Sequence, residues 1–401
     1  MIDTTEIKQT ESQHVTLESL FQAYFDCRHN KRQTMNALAF EADYERNLVI
    51  LHDEINRGDY HPGRSIAFVV TKPVNREIFA ADFRDRVVHH WIASQLNPLF
   101  ERAFIYDSYA SRKGQGVHVG IERANRFIRQ CSHHYSRDCY VLKLDIRNFF
   151  IRINKHILLA KLHPFIEQHY RHPNQSILLE LINKVVLNDP TTNCYIKSNK
   201  RLWNDFPPDK SLFHGRPGCG LPIGNFTSQI FANFYLNSFD HFVKHDLGVR
   251  FYGRYVDDFI LIHEDQAYLK ALIPTLAQFL HEELQLDLHP RKIHLQHYAN
   301  GVNFLGVTIK PNRIYIGKRT KGNFYDAITQ HNNKTREKKP SLDEQAVFLC
   351  SMNSYLGLMK HYNTYRLRRR MLRKHLSIWW WNLMYLSGGA SKLVPRQRTI
   401  R

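Results

Sequence analysis

Apolar residues recur at two different spacings along this chain, and together they predict a protein that mixes helices with strands. Leu17–Arg57 and Asp82–Leu99 carry apolar side chains at helical spacing. Ser65–Thr71 is instead a short run of β-prone residues, which is typical of a strand. We therefore expect residues 1–60 to form an N-terminal helical extension, followed by a mixed region.

The middle of the chain continues this mixture. Ser176–Leu187 and Ala267–Leu284 have helical patterns, and Pro274 predicts a kink or a restart within the second of them. Asn188–Pro217 has no regular periodicity and contains two adjacent prolines. We interpret this stretch as an irregular insertion.

The C-terminal third changes from a strand pattern to a helical one. Val302–Ile316 predicts a hairpin that turns at Lys310-Pro311-Asn312. Glu344–Leu386 is largely helical and strongly basic, and Ser387–Arg401 is typical of a loose basic tail. The pattern as a whole predicts an α+β fold.

Two adjacent carboxylates interrupt one of the strand patterns. Asp257 and Asp258 lie between the apolar runs Phe251-Tyr252 and Phe259–Ile262, at the expected tip of a hairpin. Neighbouring carboxylates repel each other, so a fold that holds them at such a bend usually needs them to bind a divalent metal. The alternative is a pair of solvated turn residues.

A third carboxylate ends another predicted strand. Tyr140–Asp145 has the pattern of a short buried strand with an acidic last residue. If this strand lies beside the hairpin, Asp145, Asp257 and Asp258 are able to bridge two cations, as in polymerases and nucleases. These three residues therefore predict phosphoryl transfer on nucleotides.

A glycine-rich loop supplies the next candidate site. Gly218–Gln229 contains four glycine or proline residues within seven positions and runs into an apolar helical pattern, Ile230–Val243. Glycines let the main chain approach a flat ligand closely, and a helix start offers free N–H groups. We expect this loop to contact a nucleotide.

Composition narrows the range of partners and locations. The chain has 56 basic and 37 acidic residues, a net charge of +19 and a pI near 9.6, which favours a polyanion such as nucleic acid. The six cysteines show no paired spacing, so neither a disulfide framework nor a zinc site is expected. His241 and His245 have helical spacing, but Phe242 stands where a zinc protease has its general base. A polar N-terminus and the short apolar run Ile378–Leu386 predict a cytoplasmic protein without a membrane span.

Taken in order, seven segments resemble the prokaryotic reverse transcriptases. The resemblance covers roughly residues 60–375 and rests on Lys72-Pro73 through Ile78, Tyr106–Gly114, Asp145–Phe150, Leu221–Gln229, Tyr255–Asp258, His289–Lys292 and Asn303–Val307. It implies a right-hand polymerase, with fingers and palm interleaved over residues 61–310, an antiparallel palm sheet and a helical thumb over residues 311–386. The irregular stretch before the glycine loop would then lie over the palm.

The same resemblance implies the roles of the acidic residues. Asp145, Asp257 and Asp258, helped by the carbonyl of Ile146, would hold two Mg²⁺ ions, with Mn²⁺ as an alternative metal. The expected reaction is synthesis of DNA on an RNA template, with a primer and dNTPs as further partners. A small basic accessory protein that helps to recruit the RNA is also implied.

The resemblance also implies residues that bind the nucleotide and the template-primer. Phe150 would pack against the sugar, and Lys292 would protonate the departing pyrophosphate. Lys72, Arg76 and Arg84 are candidates for gripping the triphosphate, because guanidinium groups match phosphate oxygens; solvated surface cations are the alternative. Leu305 and Gly306 resemble the turn that holds the primer end. A basic cluster on the thumb would follow the phosphate backbone: Arg366, Arg368, Arg369, Arg370, Arg373 and Lys374.

Within this family the glycine-rich loop looks most like that of diversity-generating retroelements. Ile223 stands where most reverse transcriptases have Gln, and Gln229 stands where they have Pro. Ile223 and its neighbour Gly224 would contact the nucleotide, and the isoleucine side chain supplies only apolar contact there. The resemblance implies error-prone copying, with errors concentrated at template adenines. The alternatives are a retron, an intron-type or a phage-defence enzyme, or an RNA-binding scaffold that has lost catalysis. The chain has no room for an intron maturase module, which argues against the intron type.

Overall fold

The computed structural model describes residues 13–29, 34–71, 74–204, 206–335 and 339–396. The chain divides into two compact units. The first comprises residues 1–120, 143–261 and 267–294, and the second comprises residues 121–142, 262–266 and 295–401. None of the helices in the described ranges combines the length and the apolar character needed to cross a membrane.

The structure mixes helices with strands, as the sequence predicts. The helices are α1 (Leu17–Arg28), α2 (Met35–Glu41), α3 (Tyr44–Arg57), α4 (Phe83–Ala103), α5 (Val117–Cys131), α6 (Phe149–Arg152), α7 (Lys155–His169), α8 (Gln175–Leu187), α9 (Arg201–Asn204), α10 (Phe226–Tyr235), α11 (Asn237–His241), α12 (Gln266–Leu284), α13 (Lys318–Lys334), α14 (Leu342–Met359), α15 (Tyr365–His375) and α16 (Ile378–Leu383). The strands are β1 (Ser65–Val70), β2 (Arg76–Ala80), β3 (Tyr140–Asp145), β4 (Cys194–Ile196), β5 (Phe251–Tyr255), β6 (Asp258–His263), β7 (His294–His297), β8 (Val302–Phe304), β9 (Val307–Lys310), β10 (Arg313–Ile316), β11 (Met384–Ser387) and β12 (Lys392–Pro395).

The N-terminal region is helical, as its periodicity predicts, and it packs on the long helix α4. The Thr16 hydroxyl accepts a hydrogen bond from the Ser19 amide and begins α1, and the left-handed Gly58 ends α3. The Trp91 indole of α4 donates to the Ser19 hydroxyl at 3.0 Å. This contact and the aromatic packing of Tyr24 on α4 fix the extension to the first unit.

A three-stranded sheet in the order β2-β1-β4 corrects the prediction for residues 188–217. β1 pairs antiparallel with β2, and β4 pairs parallel with β1, so this stretch contributes a strand instead of being wholly irregular. Buried Glu77 on β2 anchors the same stretch, because its carboxylate accepts hydrogen bonds from the Trp203 indole at 2.7 Å, the Ser211 hydroxyl at 2.7 Å and the Leu212 amide at 2.6 Å. The segment is thereby bound to β2.

The central sheet has the strand order β5-β6-β3-β7. The side chains of β6 from Phe259 to Ile262 are all buried, which explains why this strand has a continuous apolar run and no alternation. α12 is continuous through Pro274, so the predicted restart is wrong. A proline removes only one main-chain hydrogen bond, and Leu276 and Leu280 keep the helix buried.

The second unit contains a three-stranded sheet where a single hairpin was predicted. β8, β9 and β10 pair antiparallel, and the predicted turn at Pro311 and Asn312 joins the last two strands. Leu305 and Gly306 make an additional two-residue turn, with φ angles of 47° and 84°. Two successive positive φ angles are typical of the tight turns that join paired strands.

The end of the chain is also more regular than predicted. Residues 384–387 and 392–395 form the hairpin β11–β12, so the expected loose tail is wrong for this part; residues 397–401 lie outside the described ranges. Asn353 of α14 bonds to both the amide and the carbonyl of Leu393, at 2.7 and 2.9 Å. The hairpin covers an apolar core in which Trp380 stacks on Phe348 at 3.7 Å.

Candidate active site

The two-residue turn between β5 and β6 carries Asp257. Val256 has a φ of 56°, which is unusual for a β-branched residue and indicates a turn held in place by its surroundings. The Arg254 guanidinium donates to the Val256 carbonyl at 3.0 Å. The position of Asp257 is therefore set by a buried cation two residues before the turn.

Arg254 is itself fixed by a fully buried ion pair. Its Nε and Nη2 atoms lie 2.7 and 2.5 Å from the two carboxylate oxygens of Asp240, and the Tyr252 hydroxyl donates to Asp240 at 2.6 Å. Burial alone would lower the pKa of Arg254, but the charge and hydrogen bonds of Asp240 outweigh this effect and raise it. The guanidinium of Arg254 is therefore held in its charged form.

Asp145 meets this turn through the main chain. It is the last residue of β3, and the amide of the next residue, Ile146, donates to the Asp257 carbonyl at 3.2 Å. The Asp145 carbonyl accepts from the His289 amide at 2.8 Å. A main-chain hydrogen bond thus joins the segments that carry Asp145 and Asp257, which are 112 positions apart in the sequence.

Two lysines neutralise part of the acidic charge. The Lys292 ammonium lies 2.9 and 2.8 Å from the two oxygens of Asp145. Lys143 lies 3.1 Å from Asp258 Oδ1, close enough for an ion pair, and this buried oxygen has no other polar partner within the described ranges. Lys143 was missed in the sequence analysis. The signal was its position two residues before Asp145, which places both side chains on one face of β3.

Asp257 and Asp258 resist ionisation in this arrangement. The pKa of Asp257 is raised to about 6, first by burial and then by the nearby charges of Asp145 and Asp258. Burial also raises the pKa of Asp258, although Lys143 opposes the shift. The negative charge here is therefore incompletely compensated, and this favours an added cation.

The donor chemistry fits a hard divalent cation. All the candidate ligands are oxygen atoms, which Mg²⁺ prefers, and the buried Asp258 Oδ1 has a free lone pair. Across the described ranges, no three acidic, His or Cys side chains close around a point that could hold a metal ion. Lys292 and Lys143 instead form ion pairs with Asp145 and Asp258. A metal ion would replace their ammonium groups.

The glycine-rich loop lies against β2. The Phe79 amide donates to the Ile223 carbonyl at 2.9 Å, and the Ala81 amide donates to the buried Asn225 side chain at 3.0 Å. Gly224 has a φ of 124°, and a Cβ atom there would lie 2.8 Å from Ile78 Cγ2. Only glycine allows this approach.

The same loop also meets the segment after β3. The Leu221 amide donates to the Phe150 carbonyl at 2.8 Å, so the segment that carries Phe150 is hydrogen-bonded to the loop that carries Ile223 and Gly224. The structure thus brings these predicted nucleotide contacts together with β2. Asn225, which fixes the loop, was not predicted.

The predicted triphosphate cations have different surroundings. Arg76 is exposed at the start of β2. Arg84 instead forms an ion pair with Glu54 of α3 and lies over the Tyr60 ring, 5.3 Å from its centroid. These contacts give Arg84 a structural role in holding the N-terminal helices. Lys72 lies outside the described residues.

The remaining predicted residues belong to the second unit. Leu305 and Gly306 form the β8–β9 turn. Five members of the basic cluster are exposed on α15, namely Arg366, Arg369, Arg370, Arg373 and Lys374. Arg368 is different, and its assignment to the phosphate backbone is corrected: it is only 5% exposed and donates to the Ala390 carbonyl at 2.7 Å, because it faces the core side of this helix.

Comparisons with known proteins agree on one family. Residues 76–309, more than half of the chain, match the family described as reverse transcriptase (RNA-dependent DNA polymerase). Protein YkfC of Escherichia coli (strain K12) is 23% identical over 318 residues, which cover 71% of this chain and 76% of that protein.

Among solved structures, two telomerases are similar. The telomerase of Candida albicans in complex with a fragment of telomeric RNA has a TM-score of 0.47 and 12% identity, covering 80% of this chain and 57% of that one. The apo telomerase of Candida tropicalis has a TM-score of 0.48 and 13% identity, covering 79% and 60%. The chain therefore spans less than two thirds of the length of these telomerases.

Proposed function

Because the chain belongs to the reverse transcriptase (RNA-dependent DNA polymerase) family, we propose that Asp145, Asp257 and Asp258 carry its chemistry. The α+β fold of the right-hand polymerase type and the RNA-directed DNA polymerase activity, both expected from the sequence, are confirmed by this membership. The boundaries of fingers, palm and thumb at residues 61–310 and 311–386 stay predictions.

The observation that carries the proposal is the crowding of acidic charge around Asp257. Its pKa is raised to about 6 by burial and by its two acidic neighbours, which is the electrostatic setting that a divalent cation relieves. Bound metal ions would lower the pKa of the primer 3′-hydroxyl and neutralise charge on the triphosphate. Asp145, Asp257 and Asp258 would hold these ions, with the Ile146 carbonyl as a further ligand.

Lys292 would serve as the proton donor to the leaving group. Its ammonium already lies within 2.9 Å of Asp145 and is half exposed, so it is free to turn toward a departing pyrophosphate once a cation takes over that carboxylate. Arg76 would contact the triphosphate from the exposed start of β2. Phe150, Ile223 and Gly224 would shape the pocket for the sugar and base.

The second unit would hold the nucleic acid. The Leu305-Gly306 turn would contact the primer end, and the exposed cations of α15 would contact the phosphate backbone. Template RNA, a primer and dNTPs are the partners. A small basic accessory protein stays a prediction that no residue here specifies.

Direct metal binding tests the assignment of the three carboxylates. We expect electron paramagnetic resonance to show Mn²⁺ bound to the wild type and much weaker binding by Asp257→Asn. Asp326→Asn, at an exposed position of α13, is the control and should bind Mn²⁺ like the wild type. Equal Mn²⁺ binding by Asp257→Asn and the wild type would reject the proposed site.

A finer proposal concerns fidelity and the class of retroelement. The Ile223 side chain offers no hydrogen bond to a nucleotide and is half-buried, and the Ile223 carbonyl accepts a hydrogen bond from the Phe79 amide. We infer an error-prone enzyme of a diversity-generating retroelement, with errors at template adenines. Ile223→Gln should reduce these errors in sequenced cDNA, whereas Ile223→Leu, which keeps an apolar contact, should not. Identical error spectra for Ile223→Gln and the wild type would reject a role for this residue.

A further inference from the structure

An open cleft of about 300 Å³ lies in the second unit, beside the C-terminal hairpin. It is lined by one face of α15, by Trp381 of α16 and by the turn that joins β11 to β12. Its lining includes Tyr365, Arg369, Arg373, Trp381 and Gly389. This volume is of the order of one nucleotide unit.

The charge of the cleft is positive and uncompensated. Arg369 and Arg373 are four residues apart on α15, so their side chains are neighbours on one face and repel each other. Neither makes an ion pair with any residue of the described chain, and no acidic side chain lines the cleft. An anion between the two guanidinium groups would remove the repulsion and accept their hydrogen bonds.

The hairpin turn adds main-chain donors on the other side. Gly388, Gly389 and Ala390 have φ angles of 57°, 62° and 60°, a succession of left-handed residues. Within the described ranges their amides donate no hydrogen bond, while Arg368 holds the Ala390 carbonyl at 2.7 Å and fixes the turn. Successive free amides in a turn form a concave surface that binds anions.

Aromatic rings complete the lining. Tyr365 is 45% exposed, and Trp381 is half-buried against the core, so each presents a ring surface at the cleft. Bases of single strands stack on such rings, and this stacking does not depend on a particular base. The cleft therefore combines contacts for a phosphate with contacts for a base.

We propose that this cleft binds one nucleotide of a single-stranded nucleic acid. The phosphate would lie between the guanidinium groups of Arg369 and Arg373 and the amides at Gly389, and the base would stack on Trp381 or Tyr365. The strand is either RNA, such as the template, or single-stranded DNA, such as the product. The inference rests on the proposed contact between α15 and the phosphate backbone, and it deepens that contact by naming a single strand, the position of one phosphate and the rings on which a base stacks.

Gly389 permits a sharply controlled test. A Cβ atom at this position meets no other atom within 4 Å, and Asp and Asn both tolerate a left-handed φ. Gly389→Asp therefore places a negative charge beside the phosphate, whereas Gly389→Asn places a neutral side chain of the same shape there. The full chain is titrated against a fluorescein-labelled single strand, as RNA and as DNA of one sequence, in EDTA and without dNTPs.

We expect Gly389→Asp to weaken binding at least about fivefold relative to Gly389→Asn. Arg373→Gln should weaken binding more than Arg313→Gln, since Arg313 of β10 is also exposed but belongs neither to the cleft nor to the basic cluster of α15. Trp381→Ala should weaken binding more than Trp379→Ala for the same reason. The strand type that shows the larger effects identifies the source of the nucleotide.

Equal affinities of Gly389→Asp and Gly389→Asn for both strands would overturn the proposal. So would equal losses for Arg373→Gln and Arg313→Gln, which would indicate a general charge effect. Because the titration contains neither metal nor dNTPs, failure here leaves the assignment of Asp145, Asp257 and Asp258 unaffected, and loss of polymerase activity does not alter this result.

Discussion

Arg254 and Asp240 form an ion pair whose two side chains are completely buried, 2.7 Å apart between Nε and Oδ1. Arg254 also donates to the Val256 carbonyl at 3.0 Å, so the pair supports the turn that carries Asp257. Removing one partner of such a pair leaves an uncompensated charge in the core. The position of this turn therefore depends on the charge of Arg254, which is fully buried.

Replacement of Arg254 should lower both stability and activity. We expect Arg254→Met to lower the free energy of unfolding by about 3–5 kcal/mol, because Asp240 loses its counter-ion. Urea unfolding measures this loss. Arg147→Gln, which breaks the half-exposed ion pair with Asp209, should lower it by less than about 1 kcal/mol and is the control. Similar losses for the two variants would contradict a special role of the buried pair.

Lys143 should set the requirement for metal. Lys143→Met removes the ammonium group 3.1 Å from Asp258 Oδ1 and makes the site more negative. We expect the Mg²⁺ concentration for half-maximal primer extension to fall about threefold or more, since the cation no longer competes with Lys143. Lys270→Met, at an exposed position of α12, should leave it unchanged. An unchanged or higher requirement in Lys143→Met would show that Lys143 does not compete with the metal.

The predictable part of the site consists of residues that share a short segment with a recognisable pattern. Asp257 and Asp258 lie between two apolar runs, which predicts the tip of a hairpin. Asp145 ends another apolar run, which predicts the end of a strand. The local pattern alone was therefore enough to place these three residues. The partners of these residues were not predictable in this way. Lys143 of β3 pairs with Asp258 of β6, and Asp240 of the helix α11 pairs with Arg254 of β5. The spacing of Lys143 and Asp145 indicates a shared strand face, but a single sequence does not show which residue of another element each side chain pairs with.

The same distinction between local pattern and long-range pairing explains why some predictions of the fold were wrong. β4 has only three residues and depends on pairing with β1, which lies 129 positions away. The C-terminal hairpin was overlooked because the helical pattern before it continued to Leu386, although Gly388 and Gly389 are typical of a turn. In both places tertiary pairing, and not local propensity, decides the structure.

Gly224 should tolerate no side chain. Gly224→Ala would place a Cβ atom 2.8 Å from Ile78 Cγ2 and 3.2 Å from the Phe79 carbonyl, and so push the loop away from β2. We expect primer extension to fall at least about tenfold, because displacement of a positioning loop misaligns the reactants. Gly116→Ala is the matched control, since Gly116 has a similar φ of 131° and open space around it. If both variants lose activity equally, backbone strain and not the contact with β2 is responsible.

Asp85 should make stability depend on pH. Burial raises its pKa to about 6 from an ordinary value of 3.8, although the Gly63 amide and the Tyr60 hydroxyl oppose the shift. The folded state thus binds the proton of the Asp85 carboxyl more tightly than the unfolded chain does. The stabilisation of the folded state by this proton is complete below the pKa of Asp85 in the unfolded chain, and it is lost as pH rises through about 6.

Asp85→Asn should abolish this dependence. The midpoint temperature of unfolding of the variant, relative to the wild type, should increase between about pH 5 and about pH 7.5. Tyr60 is able to accept as well as donate a hydrogen bond, so the amide has a partner. A difference between the two midpoints that does not change with pH, or that changes in the opposite direction, would contradict the raised pKa.

Primer extension on an RNA template tests the central claim most directly. The full chain, with Mg²⁺, dNTPs and a DNA primer, should extend the primer, and Asp257→Asn should lower the rate at least about a hundredfold. Asp326→Asn should extend it at the wild-type rate. Extension by Asp257→Asn as fast as by the wild type would contradict the assignment of the buried carboxylates as the catalytic centre.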